Sequence, residues 1–229
     1  MKKVKTDHSR IPLPNLIQEG SNKQYICRDD KDALISWGLE ENSIKLLPTL
    51  TRACIDAETA LQICLKMGKV VSARWIESIA AGRTNRACLA AMVRKIPLFK
   101  NSGFVLPQYC DRKKQVDIIE DLYELYTLCC KLISADPGAI PDRTFMDKAL
   151  ELHIQLRSLR VELAVLKNKK TLCTKTKANA ARALKTVIDK INNAGQNVFF
   201  DNPEKRARYK YGFYVEQNRK RKNRKKREI

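Results

Sequence analysis

Between residues 142 and 167 the apolar side chains Phe145, Ala149, Leu152, Leu156, Leu159, Leu163 and Leu166 recur in alternating steps of four and three without a miss. That spacing puts all of them on one face of an α-helix, whereas a strand would scatter them over both faces of a sheet. A second stripe, Leu150, Ile154, Val161 and Val165, widens the apolar surface. A helix with two such stripes is expected to pack on two sides, as in a bundle. The same rhythm predicts further helices through Leu47, Leu50, Cys54, Ala57, Leu61 and Cys64, through Ile118, Leu122, Leu125, Cys129 and Leu132, and through Ala180, Leu184, Val187 and Ile191. No Val/Ile/Thr alternation competes with it, and eight Gly and eight Pro are few for a chain of many tight β-turns. The expected fold class is all-α: helical bundles of antiparallel helices with a basic, aromatic-containing C-terminal tail.

Punctuation divides the chain. Pro12 and Pro14 disfavour helix around them, so residues 1–28 read as an extended N-terminal arm. A first helical unit is expected over 29–100, with Asp29 or Asp30 capping a short helix that ends at Gly38. Gly68 and Gly82 are plausible stops beyond it, with Val71, Trp75, Ile76 and Ile79 buried between them. Pro97, Gly103 and Pro107 mark the best internal boundary. A bundle unit over 111–194 follows, interrupted at Asp136-Pro137-Gly138, where Pro fixes φ and Gly accepts a positive one. Residues 199–229 complete the chain as a tail.

Charge then separates the segments. The chain holds 45 Lys and Arg against 25 Asp and Glu, for a net charge of +20. Residues 167–229 alone hold 20 basic and 5 acidic side chains, a net +15, while 111–166 are slightly acidic. Basicity concentrated at one end implies a polyanionic partner. Six of the 15 aromatic residues, Phe199, Phe200, Tyr209, Tyr211, Phe213 and Tyr214, fall in this end, interleaved with Arg206, Arg208 and Lys210. Rings stack on bases and cations meet phosphates, so the mixture suits single-stranded nucleic acid; equally, the rings could anchor the tail to the bundle. Residues 219–227 read RKRKNRKKR, whose Arg219, Lys220, Arg221, Lys222, Arg224, Lys225, Lys226 and Arg227 repel one another and cannot be buried. They fit a phosphate-binding tail, a nuclear-import signal in a eukaryotic source, or a solvated end. Lys175, Arg182 and Lys185, opposite the apolar stripe of their helix, extend the basic surface. Lys210-Tyr211-Gly212-Phe213-Tyr214-Val215 has Tyr211 where an RNA-recognition motif needs glycine and lacks its βαββαβ surroundings, and that match is rejected.

Other chemistry is sparse. The eight cysteines include no C-x-x-C pair, and His8 and His153 are the only histidines, so neither a zinc site nor a disulfide framework is expected. Cys54, Cys64, Cys88, Cys129 and Cys173, among apolar residues at helical spacing, read as small core residues of an intracellular, reducing compartment, whether cytoplasmic, nucleoid-associated or nuclear. No run is long and apolar enough for a membrane span or a signal peptide. Glycine-rich phosphate cradles, H-E-x-x-H and G-x-S-x-G are absent, so no catalytic residue and no cofactor is expected. Glu120 and Glu124 share a helix side and could hold magnesium, but with Asp117 and Asp121 they fit a solvated face equally well. His153 reads as a satisfied core histidine. Ser72–Ile96 permits either a helix-turn-helix turning at Gly82, with Arg83, Arg86 and Arg94 on DNA, or an αα-hairpin.

The leading expectation is a non-enzymatic nucleic-acid-binding protein, RNA slightly favoured over DNA. The alternative is an accessory subunit of a larger nucleoprotein assembly, held to itself or to a protein partner through apolar helix faces, with no membrane involved. In plan, a basic helical bundle is similar to accessory proteins of some reverse transcriptases and to viral nucleocapsids, but no diagnostic residue carries either likeness.

Overall fold

The computed structural model of the chain describes residues 11–101, 106, 115–140 and 142–213. Among these residues every regular element is a helix. In order they are α1 (Leu13–Asp29), α2 (Lys31–Ser36), α3 (Glu41–Lys95), α4 (Pro97–Asn101), α5 (Gln115–Ala135), α6 (Thr144–Val198) and α7 (Pro203–Arg208). The chain divides into two compact units, one drawn from Met1–Ile63 and Thr171–Ile229 and the other from Cys64–Lys170. This division differs from the expected 29–100 and 111–194: α3 and α6 are each 55 residues long, and α3 runs through Gly68 and Gly82, the positions read as stops.

Three corrections follow from local chemistry. From Leu13 onward the expected extended arm is α1, residues 1–10 lying outside the described residues: Pro12 is the N-cap residue and Pro14 lies in the first turn, where a missing N–H breaks no intrahelical bond. Gly68 and Gly82 lie inside α3, which carries Pro48 as well. Gly82 is buried, and a Cβ built on it would stand 3.3–3.6 Å from side-chain carbons of Leu122, Ile118 and Leu156. With no turn there, both the helix-turn-helix and the αα-hairpin over Ser72–Ile96 are overturned. A turn forms at 136–138, with the Gly138 N–H donating to Asp136 Oδ1 at 2.9 Å, but Gly138 does not take the positive φ expected of it.

In the Cys64–Lys170 unit the core joins Ile79, Leu89 and Val93 of α3, Ile118, Leu122, Leu125, Cys129 and Leu132 of α5, and Met146, Ala149, Leu152 and Leu156 of α6. A smaller cluster adds Cys64, Val71, Leu159 and Leu166. The main stripe of α6 is therefore the buried one, although Met146 takes the inward place expected of Phe145, which is exposed. The second stripe is not buried: Ile154, Val161 and Val165 are 59%, 65% and 58% exposed. Ile76, also expected inside, is exposed. Leu156 is wholly enclosed, and Leu156→Ala should cost about 2–5 kcal/mol in a denaturant titration. A loss below about 0.5 kcal/mol would mean that this stripe faces solvent.

The other unit is built on Leu16, Ile26 and Cys27 of α1, Leu34 of α2, Leu39, Leu47 and Cys54 of α3, and Leu184, Ile188 and Ile191 of α6. Tyr209 belongs to this core, with Phe199 packed against it. Two rings of the segment expected as a tail thus pack within this unit.

Candidate nucleic-acid interface

The basic–aromatic segment begins where α6 ends. Phe199–Asn202 form a turn, the Asn202 N–H donating to the Phe199 carbonyl at 3.1 Å. The Asn202 side chain then accepts from the Lys205 N–H at 3.0 Å, capping α7 with Pro203 at its start. This turn sends neighbouring rings opposite ways. Phe199 stacks on Tyr209, centroids 5.6 Å apart, while Phe200 is left 66% exposed.

Tyr209 is fully buried. Its hydroxyl donates to Asp30 Oδ2 at 3.0 Å, and Lys205 Nζ reaches Asp30 Oδ1 at 3.3 Å. The Gln196 amide donates to the Tyr209 carbonyl at 3.0 Å. The ring lies so close to Gly195 that a Cβ there would collide with it, so only glycine admits this approach. Beneath the ring lies Lys23, also fully buried, with Nζ 5.3 Å from the centroid. Lys23 donates to the Arg208 carbonyl and pairs with Glu19 at 3.2 Å. Burial pulls the Lys23 pKa below its ordinary value, against the attraction of Glu19. Asp30, read as a helix cap, makes no side-chain cap bond to α2 and holds α7 instead.

The residues expected to contact nucleic acid are thus placed unequally. Tyr209 offers no ring face to a base, because both its faces and its hydroxyl are taken up in the core. Lys185 and Tyr211 are brought together by Asp189, which accepts from Lys185 Nζ at 2.6 Å and from the Tyr211 hydroxyl at 2.8 Å. Lys185 Nζ also lies 5.9 Å from the Tyr211 ring centroid. Burial, with Asp189 second, pushes the Tyr211 hydroxyl pKa upward. Arg206 lies over Phe200, its Cζ 5.2 Å from the centroid. Arg208 pairs with Glu204 at 3.3 Å, Arg182 donates to Asn179, and Lys175 and Lys210 are exposed. Phe213 is half-buried. Tyr214, Arg219, Lys220, Arg221, Lys222, Arg224, Lys225, Lys226 and Arg227 lie outside the described residues.

Elsewhere, Arg86 is not a surface contact. It is buried in α3 and donates through Nε to Asp121 Oδ2 at 2.6 Å. Asp121, read as solvated, is therefore an internal counter-ion, while Glu120 and Glu124 are exposed. His153 is buried, its Nδ1 2.9 Å from the Ile119 carbonyl and its ring stacked 4.9 Å from Tyr123. Among the described residues no group of three or more His, Cys, Asp or Glu is placed to hold a metal ion, and no helix is long and apolar enough to cross a membrane. The described cysteines are free. Burial pushes the thiols of Cys27 and Cys129 up to about 12, leaving both protonated and unreactive near neutrality. Iodoacetamide on native protein should therefore label the half-buried Cys88, Cys130 and Cys173 first. Cys27 and Cys129 should be labelled only on unfolding or as the pH approaches about 12, as read by mass spectrometry. Labelling of Cys27 in native protein near neutrality at the unfolded rate would contradict its burial.

No family model, curated protein or solved structure matches this chain.

Proposed function

We propose that the protein is a non-enzymatic nucleic-acid-binding protein of a reducing intracellular compartment, RNA slightly favoured over DNA. The single observation that carries this reading is the net +15 of residues 167–229; among the described residues Lys175, Phe200, Lys210 and Tyr211 are exposed within it. In this reading the helices pack antiparallel as bundles, and the basic C-terminal tail neutralises phosphates and releases condensed counterions, giving salt-sensitive affinity with little sequence preference. Lys175, Arg182 and Lys210 extend the cationic surface, and Phe200, Tyr211 and Phe213 supply ring faces to unpaired bases. RNA is preferred because no groove-reading helix stands out among the described residues.

The test compares the full chain with a variant lacking residues 219–227, binding a labelled single-stranded oligonucleotide at several salt concentrations. Removing the eight cations should weaken binding to all sequences alike, each lost phosphate contact flattening the log–log salt slope by roughly 0.7–0.9. If the variant binds as tightly and as salt-dependently as the full chain, the tail is a solvated or targeting segment.

A second reading then takes first place: an accessory subunit of a larger nucleoprotein assembly. Ile154, Val161 and Val165 favour it, because steps of seven and four keep three exposed β-branched side chains on one face of α6. Sedimentation of purified protein, with absorbance at 260 nm before and after nuclease, separates the two readings.

A further inference from the structure

We propose that Trp37 and Phe200 form a stacking site for one unpaired nucleobase, with Asp201 and Asn197 facing its polar edge. The proposal rests on the nucleic-acid reading above and adds to it a defined base pocket and a preference among bases.

An open cleft of about 360 Å³ is lined by Trp37, Asn197, Val198, Phe200 and Asp201. That volume lies in the range of sites for small planar ligands. Trp37 is 61% and Phe200 66% exposed. A single exposed ring is ordinary, but two rings on one cleft leave a large apolar surface wet until something planar enters.

Both rings are held by ordered backbone. Trp37 is the C-cap of α2, and Gly38 follows at φ +95°. The Leu39 N–H donates to the Leu34 carbonyl at 3.0 Å and the Gly38 N–H to Ile35 at 2.9 Å, the two bonds of a Schellman ending. Leu34 and Leu39 are both buried beneath it, so the turn is anchored while Trp37 points outward. Phe200 sits on the turn that leads into α7, its N–H donating to the Asn197 carbonyl at 3.3 Å.

The charge around the cleft selects the ligand. Aromatic faces and the Asp201 carboxylate also attract organic cations, but Arg206 already lies over Phe200, and Lys205, Arg208 and Lys210 follow with it against the single Glu204. A ring that brings an anion with it, as a nucleotide does, suits these surroundings better than a second cation. Arg206 is the cation placed to receive the adjoining phosphate. The Asp201 carboxylate only accepts hydrogen bonds, so it favours the bases that present amino groups, cytosine, adenine and guanine, above uracil or thymine.

The experiment uses the full chain and fluorescence anisotropy of short labelled oligo(rC), oligo(rA) and oligo(rU). Trp37→Ala and Phe200→Ala should each weaken binding to oligo(rC) roughly 5- to 150-fold, the loss expected for one stacked base, with the salt slope nearly unchanged. Because both side chains are exposed, the circular dichroism spectra should match that of the parent protein. Oligo(rC) and oligo(rA) should bind more tightly than oligo(rU), and Asp201→Asn should narrow that difference. If the full chain binds with the expected salt slope but both alanine variants bind equally well, the base site is overturned and the nucleic-acid reading stands. Failure of the full chain to bind any oligonucleotide overturns both. Displacement of oligonucleotide from Trp37 by tetramethylammonium, followed by fluorescence in a Trp75→Phe background, would make the cleft a cation cage and overturn the proposal as well.

Discussion

Tyr209→Ala should destabilise the unit that contains it by about 3–5 kcal/mol, the range for removing a large buried ring. Its side chain has no exposure, fills the space left by Gly195, stacks on Phe199 and covers the buried ammonium of Lys23. Deleting the ring would also take the hydroxyl from Asp30 and leave the Lys23 charge less well surrounded. Tyr209→Phe isolates the polar share: it keeps the packing and removes one hydrogen bond to a carboxylate, worth about 1.5–3 kcal/mol. Gly195→Ala approaches the same contact from α6, since the added methyl meets the ring. Urea titration followed by circular dichroism reads all three. A chain ended at residue 198 should be destabilised in the same way, because it lacks Phe199 and Tyr209. If that truncation unfolds at the midpoint of the full chain, the C-terminal segment is not part of the core.

Arg86→Ala should cost a comparable 3–5 kcal/mol, because it leaves the Asp121 carboxylate buried without the guanidinium that compensates it. The partners are 4% and 6% exposed, so water cannot replace the lost contact without local opening. Replacing both, as Arg86→Met with Asp121→Leu, should recover most of the loss, since no isolated charge then remains inside. That recovery separates a buried pair from an arginine that acts on DNA. A DNA contact would leave stability unchanged on mutation and lower affinity instead. An Arg86→Ala effect below about 0.5 kcal/mol would place the pair at the surface.

Much of the candidate interface was legible before folding. The concentration of cations after residue 167 and the aromatics after 199 are compositional, so they need no contacts to be seen. Trp37 was missed, although a Trp followed by Gly at the end of a short helix is a readable signal for an outward ring beside a Schellman turn. Lys23 and Glu19 were missed because an i,i+4 ion pair looks the same in sequence whether it is solvated or enclosed. Their spacing from Leu16, Ile26 and Cys27 did place them on the side that became the core.

Helical spacing was decided by sequence, since a three–four rhythm over many residues has one backbone geometry that gathers it on a face. So was the end of α2 at Gly38, where the positive φ is a local demand, and so was the turn at Asp136-Pro137-Gly138, which the Asp136 carboxylate closes on the Gly138 N–H. Three matters were decided only by tertiary packing. Gly68 and Gly82 did not stop α3, because a helical glycine costs only about 1 kcal/mol and buried apolar surface along 55 residues outweighs it. Of the two apolar stripes on α6, Leu152, Leu156 and Leu159 met neighbours and Ile154, Val161 and Val165 did not, a distinction periodicity does not carry. Tyr209 and Arg86 turned inward while Phe200 and Trp37 turned outward, because an amphipathic side chain goes where a partner such as Asp30 or Asp121 satisfies its polar end, and those partners lie 179 and 35 residues away in sequence.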